Sequence, residues 1–522
     1  MGSLSPSQPP YQTYQLHPAG WEDDPEVERR PVGVLDCFMP QTYNNYALFF
    51  RFSSPATGDD KAQVVETLKM GFEHLFAQVR HLVGRLERNP DKPGELQYVR
   101  RKGDTVRFDV QHLDLVADGK KYPSVDELEE KHFRGILLGD LKVWSIPGMT
   151  YGCHPPAHPS NNPVISAYKL NFIPGGFILN MHHHHFANDV IGWVGYTTQL
   201  SHICQAISRS TPIPSFPLSC LDNSALNPPS TTTTPPSSNN PIPTQVYTPP
   251  DPTKKGVSLL FHFPASKAAA LKSLALSDLA KSGADPKAWI STFDSLAALL
   301  LRSFIRLSPL PLSPDTVPFY THTINLRPRL SPPLHPGHQF NCIGCPLSLS
   351  PPPGVIQPTV SDIVGGWSLG RLALYMRQMT NGIVDLSNGV LEGMITEMGR
   401  AEDKVGLSIK LDELPGGGVY ITDHRDVGGL LGQDWTGGLG GGGEGGGTKV
   451  VAYRHLVDSV DQGGVVVYPS RGKVKGDGEE GVEFVVFAGG SEEEAVGRLV
   501  NDREWGEWVE FRGVDGVDLR GR

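Results

Sequence analysis

With 522 residues, 39% of them hydrophobic and 20% charged, the chain exceeds what one ordinary core organises and is too apolar for wholesale disorder, so two domains are expected. Its net charge of -10 excludes broad attachment to nucleic acid or to an anionic membrane surface, which need a concentrated positive field; a local basic pocket for a phosphorylated cofactor stays compatible. Met1 to Pro10 lacks the charged start and apolar run of a signal peptide, no stretch approaches the roughly 20 apolar residues that cross a bilayer, and the Met-Gly start lacks the Ser/Thr at position six that favours myristoylation. A soluble, cytoplasmic, monomeric protein without membrane insertion is expected.

Val64, Leu68, Phe72, Leu75, Phe76, Val79 and Leu82 recur at helical spacing, which predicts a helix with one apolar face. Val164 to Leu170 and Phe177 to Met181 read as two strands around the turn signal Pro174-Gly175-Gly176, and Val190 to Ile207 as a helix. From Ser215 to Thr253, Pro, Ser, Thr and Asn replace nearly all periodic apolar sequence. Such a segment cannot bury a core, so 215–253 is an expected linker between an N-terminal domain at 1–214 and a C-terminal domain at 254–522. Beyond it the pattern predicts a helix over Phe293 to Ile305, a strand from Val317 to Asn325 and a helix from Leu369 to Met379. Strand-like runs follow at Gly464 to Tyr468 and Val482 to Phe487, then a helix from Glu492 to Asn501. Helices and strands mixed in both halves predict an α/β architecture. The tract from Gly437 to Gly447 is nearly pure glycine and reads as a flexible loop. It is not a phosphate loop, because Thr448-Lys449 inverts the required Lys-Ser/Thr order. Six scattered cysteines do not form a disulfide framework, and zinc at the close pair Cys342 and Cys345 needs two further ligands of matching spacing.

The segment from Gly176 to Asp189 carries four consecutive histidines, His182 to His185, between a predicted strand and a predicted helix. Side chains alternate along a strand, so His183 and His185 share one face while His182 and His184 take the other; four ligands cannot then converge on one metal. His185 and Asp189 are four apart where strand gives way to helix, so one turn brings the carboxylate back toward the imidazole region. Histidine suits base catalysis near neutral pH, and a positioned general base contributes about a hundred- to ten-thousand-fold. The same residues also fit packing or surface histidines with Asp189 as a helix cap.

His184-His185-Phe-Ala-Asn-Asp189 matches the HHxxxD motif of the BAHD acyltransferases, and the resemblance extends further. Leu82-Val-Gly-Arg-Leu86 is similar to the family's early PxLAGRL stretch, and Ser291 to Arg302 to its TxxDxLxAxxWR helix. Asn325-Leu-Arg-Pro-Arg-Leu-Ser-Pro-Pro-Leu334 resembles NxRxRLxPPL, while Ile421 to Arg425 and Gln433-Asp434-Trp435 stand in the place of the C-terminal TSWR and DFGWG region. The order is preserved over nearly the whole chain. Proline-rich insertions at Pro311 to Pro314 and Pro351 to Pro353 make it look closer to fungal members, including the trichothecene acetyltransferase-like group.

The resemblance implies two chloramphenicol-acetyltransferase-like domains with the active site in a channel between them. Acyl-CoA, with acetyl-CoA expected, enters as co-substrate from one side and a small secondary-metabolite acceptor from the other. No cofactor is bound and no metal is required. It implies His185 as the general base on the acceptor's hydroxyl or amine, and Asp189 as a structural residue paired with Arg327 away from substrate. His184, Asp434 and Trp435 are secondary candidates at the site. Here the sequence departs from the family: Asp434-Trp435-Thr436-Gly437-Gly438 stands for Asp-Phe-Gly-Trp-Gly, and Asp423-His424 for Ser-Trp.

Three alternatives remain open at this stage. Gly366-Trp-Ser-Leu-Gly370 is a literal G-x-S-x-G match, making Ser368 the nucleophile of an α/β-hydrolase if a buried strand precedes it; however, Ser361-Asp362 interrupt that strand and Ser368 suits a helix N-cap. The same fold also supports condensation or cyclisation without CoA. It further supports a non-catalytic small-molecule-binding protein.

Overall fold

The computed structural model describes residues 11–115, 122–151, 156–227, 256–283, 287–309, 312–384, 390–409, 418–436, 447–457, 462–471 and 479–517. Most of the predicted 215–253 linker and of the 437–447 glycine tract therefore lies outside the described residues. In chain order the first strands are β1 (Tyr11–Leu16), β2 (Val27–Pro31), β3 (Tyr43–Phe52), β4 (Arg85–Asn89), β5 (Lys92–Arg101), β6 (Val106–His112), β7 (Ser166–Ile173), β8 (Gly176–His184) and β9 (Gly256–Pro264). They are followed by β10 (Tyr320–His322), β11 (Ile324–Asn325), β12 (Ile343–Gly344), β13 (Val419–Asp423), β14 (Thr448–His455), β15 (Gly464–Tyr468), β16 (Gly481–Gly489) and β17 (Glu510–Val517).

Two six-stranded mixed sheets carry the fold, in the orders β1-β6-β7-β8-β3-β14 and β10-β13-β15-β16-β9-β17. β7 and β8 are buried along their whole length, so the polar side chains they carry are paired inside the molecule: Lys169 donates to the Val143 carbonyl at 2.6 Å and the Asn171 amide to Asn180 Oδ1 at 3.1 Å. The Pro174-Gly175-Gly176 turn joins them. Gly175 sits at φ +82°, and a Cβ at Gly176 would lie 1.9 Å from the Phe50 carbonyl oxygen on β3, so that position needs glycine.

The helix Gly58–Gln78 starts on a capping box in which Thr57 and Asp60 satisfy each other's backbone N–H groups. Its apolar face packs on the sheet, with the Phe72 ring 4.2 Å from that of Tyr168 on β7. In the second half Ser291 and Asp294 form the same device at the start of the helix Thr292–Arg306. The strand expected from Val317 to Asn325 is broken in two. β10 runs parallel to β13 in the second sheet, whereas β11 leaves it to pair with β12, and this bend carries Arg327 toward the first half.

One strand crosses between the halves. β14 comes from the C-terminal half of the chain yet forms the edge of the first sheet beside β3, with Tyr46 opposite His455. It is tied to the second sheet by Arg454, whose guanidinium donates to Glu483 on β16 at 2.7 Å, while Arg471 donates to the other carboxylate oxygen at 2.7 Å. Burial pushes Glu483 up, but the two arginines outweigh it and hold the carboxyl at about 2. The 215–253 position therefore separates the sheets in sequence for every main strand except β14.

Candidate active site

The four histidines separate as strand geometry dictates. His182 donates from Nδ1 to the Met149 carbonyl at 2.6 Å and accepts the Ile146 N–H at 3.2 Å. His184 donates from Nε2 to the Ala157 carbonyl at 2.7 Å and accepts the Phe186 N–H at 3.0 Å. On the opposite face His183 lies 3.1 Å from the Asn44 amide and meets the Tyr46 ring edge-on. All three are fully buried, and burial drives His182 down to about 3. His185 follows the end of β8, held by its N–H to the Thr42 carbonyl at 2.9 Å, and is the member of the run that lines a chamber. Its Nδ1 is buried, so Nε2 is the nitrogen available to a ligand. Burial lowers the His185 pKa below its ordinary value, opposed in part by its backbone contact and the Asp189 charge. A neutral imidazole with one accessible nitrogen is the form a general base requires.

Asp189 is the N-cap of the helix Val190–Ser208 and accepts the Gly192 N–H at 2.7 Å. It also forms a two-pronged pair with Arg327, at 2.9 and 3.0 Å, and accepts the Cys342 N–H at 2.8 Å. Arg327 is 1% exposed and donates further to the His338 and Phe340 carbonyls at 2.9 and 2.6 Å. Burial raises the Asp189 pKa, but the Arg327 charge and these hydrogen bonds outweigh it and hold the carboxyl below its ordinary value. The close approach depends on Gly192, where a Cβ would lie 2.1 Å from the Gln339 carbonyl oxygen. Residues 138 apart are thus locked together behind His185. A second brace is Asn341, whose amide donates at 2.9 Å to both the His185 carbonyl and the buried Asp36 carboxylate.

The chamber has a volume of about 190 Å³ and lies where the two sheets meet. Asn44, Tyr46 and His185 face it from the first half, and Thr422, His424 and His455 from the second. Tyr46 is the hub of the wall, its ring meeting those of His183, Trp193 and His455 edge-on with centroids 4.9 Å apart in each case. A second cavity of about 560 Å³ shares Ile191, Asn325 and Asp426 with the chamber, so the two are neighbours across a thin wall.

Not every sequence candidate reaches the chamber. His184 points to the other face of β8. Asp434 and Trp435 sit where β14 begins: Trp435 donates its backbone N–H to the Thr448 carbonyl at 3.3 Å, and its indole is buried edge-on against Phe50 at 5.1 Å. From Thr448 to His455 an extended strand covers roughly 20 Å, which puts this pair at the opposite end of β14 from the chamber. Neither residue lines it. Ser368 follows the helical turn Asp362–Gly366 rather than a strand and accepts the Arg371 N–H at 3.3 Å as a helix cap, which removes the nucleophile-elbow reading. Cys342 is buried, whereas Cys345 lines the chamber. Among the described residues no group of three or more His, Cys, Asp or Glu is placed to hold a metal, and no helix is long and apolar enough to cross a membrane. Sequence reasoning missed Asp36, Tyr46, Asn341 and His455, because their partners lie far away in the chain.

Comparison with known proteins agrees with this architecture. The family described as "Trichothecene 3-O-acetyltransferase-like N-terminal domain" matches residues 42–204. The acetyltransferase FGR3 of Gibberella zeae is 38% identical over 513 residues, covering 97% of this chain and 95% of that protein. The crystal structure of F. graminearum TRI101 complexed with coenzyme A and T-2 mycotoxin superposes with a TM-score of 0.71 at 19% identity, covering 93% of this chain and all of that one. Vinorine synthase superposes with a TM-score of 0.61 at 18% identity, covering 96% of this chain and 99% of that one. The fold is therefore the two-domain acyltransferase fold, and the chain belongs to the trichothecene 3-O-acetyltransferase-like branch of the BAHD-type acyltransferases.

Proposed function

We propose that the protein is an acyl-CoA-dependent acyltransferase that moves an acetyl group from acetyl-CoA to a hydroxyl or amine of a small secondary-metabolite acceptor. FGR3 is named an acetyltransferase, and TRI101 has been crystallised with coenzyme A and a trichothecene. The observation that carries the reading is the separation of the histidine run: three members are buried on backbone or amide partners, and His185 alone opens to the interdomain chamber. His185 Nε2 takes the proton from the acceptor as its oxygen or nitrogen attacks the thioester carbonyl. The tetrahedral intermediate then collapses, the C–S bond breaks, and His185 returns the proton to the CoA thiolate. Asp189, at the border of the chamber, and Arg327, at the border of the second cavity, hold the helix and the loop behind the base through their pairing. Two neighbouring cavities suit donor and acceptor approaching from different sides. The 1–214 and 254–522 segments serve as its two domains, with β14 lent by the second to the first, and the protein works as a cytoplasmic monomer.

Mass spectrometry of the products from acetyl-CoA and a panel of alcohols and amines tests the reading. A mass gain of one acetyl group that His185→Ala abolishes supports it. Conversion of an acceptor with no thioester present would instead mark condensation or cyclisation chemistry.

A further inference from the structure

The mechanism above uses one imidazole of the chamber, yet the wall supplied by the C-terminal half carries three more; His322 has both nitrogens engaged by the Tyr320 and Thr380 hydroxyls, which leaves His424 and His455. His455, at the end of β14, lines the chamber; its Nε2 is buried without a hydrogen-bond partner, so Nδ1 is the nitrogen left to address a ligand. His424, just after β13, lies beside it with ring centroids 5.9 Å apart. Neither ring is free to swing. Tyr46 meets both edge-on, at 4.9 Å for His455 and 5.8 Å for His424. Tyr151 closes on His455 at 5.1 Å, and the Tyr453 hydroxyl lies 3.0 Å from His424 Nδ1, leaving Nε2 as the nitrogen that can address a ligand.

Burial keeps both rings neutral, lowering His424 to about 4 and His455 well below its ordinary value. A neutral imidazole offers one donor and one acceptor but no positive charge, and the carboxylates of Asp189, Asp423 and Asp426 also border the chamber, so an uncharged oxygen function fits there better than a carboxylate or phosphate. Much of the remaining lining is apolar, including Ile191, Ile343, Ile421, Val457, Val466 and Phe487. A polar atom left unpaired in such a wall is costly, so the nitrogens that face the chamber, His424 Nε2 and His455 Nδ1, favour a ligand that pairs with them.

We propose that His455, with His424 beside it, recognises the acceptor by hydrogen-bonding a second oxygen function and so fixes which hydroxyl His185 deprotonates. The acceptor class is then a compact, largely apolar molecule bearing at least two uncharged oxygen functions. This deepens the acyl-transfer reading and rests on it. A site built to pair a substrate hydroxyl discriminates strongly against an analogue lacking it, because its own polar atoms are then left unpaired.

The test compares cyclohexanol with 1,2-cyclohexanediol as acceptors for acetyl-CoA, using the wild type, His455→Phe and His455→Gln. Phe keeps an aromatic ring against Tyr46 and Tyr151 but removes both nitrogens; Gln restores a donor and an acceptor. The wild type is expected to favour the diol by about tenfold or more in kcat/KM. That preference should fall to near unity in His455→Phe and return in part in His455→Gln. A wild type without preference, a preference intact in His455→Phe, or an equal proportional loss for both alcohols overturns the proposal. If the wild type acetylates neither alcohol, the acyl-transfer reading is contradicted on these probes. Calorimetric titration of the diol into the same proteins then decides the inference separately: tighter binding by the wild type than by His455→Phe supports it, and equal binding overturns it.

Discussion

The two walls of the chamber are held rigid by different physics. Behind His185 the lock is ionic: Asp189 and Arg327 form a buried pair saturated by backbone N–H and carbonyl groups. Opposite, the rings of His424 and His455 are set by aromatic edges and a phenol, while the strand that carries His455 is anchored one residue away by the Arg454–Glu483 pair. Aromatic pairs are worth about 0.5–1.5 kcal/mol each beyond their burial, whereas breaking a buried ion pair from one side costs about 3–5 kcal/mol. The first wall thus places the chemical group firmly, and the second can change residue type at little cost to the fold. Reaction and recognition are separable here.

The comparison is broken most severely at the base itself. His185→Ala is expected to lose at least about a hundredfold in acyl transfer while keeping the wild-type melting curve within a few degrees, because His185 sits at a cavity rather than in a core. His184→Ala removes the donor that satisfies the Ala157 carbonyl, so it should lower stability while leaving more of the activity. Equal losses at His182, His184 and His185 accompanied by metal release would point to a metal centre instead.

Next in size is the ionic lock. Asp189→Ala should cost about 3–5 kcal/mol of stability by chemical denaturation, together with activity, and Asp189→Asn less. A double-mutant cycle of Asp189→Asn with Arg327→Gln should be clearly non-additive; simple additivity would mean the two side chains do not interact. The pH dependence has a defined sign. The Asp189 pKa is held below its ordinary value, so its contribution is fully present above the unfolded carboxyl's about 3.9 and is lost as pH falls toward the lower folded value. The stability gap between wild type and Asp189→Asn should therefore narrow on acidification below about pH 4.

A smaller effect separates the chamber end of β14 from its far end. Trp435→Phe should cost about 0.5–3 kcal/mol of stability and leave kcat/KM within a few-fold of wild type, since the indole packs on Phe50 away from His185. A loss comparable to that of His185→Ala would return Trp435 to the reaction. The smallest change expected is from deleting residues 230–240, because loop-length changes cost only about 0.6 kcal/mol per doubling; a large fall in melting temperature would count against a linker there.

How far the sequence foretold this site follows from the range of the interactions. From β8 to the helix Val190–Ser208 every signal is local: a turn with two glycines, strand alternation through the histidines, and an aspartate at the N-cap. Those signals separate the histidine faces without any knowledge of the fold. Pairing of Asp189 with Arg327 came only from family resemblance, since nothing local links residues 138 apart. His455 had no signal at all, because its place depends on β14 leaving its own half of the chain to pair with β3. Trp435 misled for the converse reason. It occupies the right place in sequence order, but a strand some 20 Å long separates it from the chamber.

The general-base role of His185 is tested most directly by the pH dependence of kcat/KM for acetyl transfer. Burial lowers the His185 pKa, and only the neutral imidazole can accept the acceptor's proton. The rate should therefore be flat down through the unperturbed histidine value of about 6.5, fall with unit slope only below it, and lose that acid limb in the residual activity of His185→Ala. An acid limb that persists unchanged in His185→Ala would show that another group removes the proton and would contradict the account.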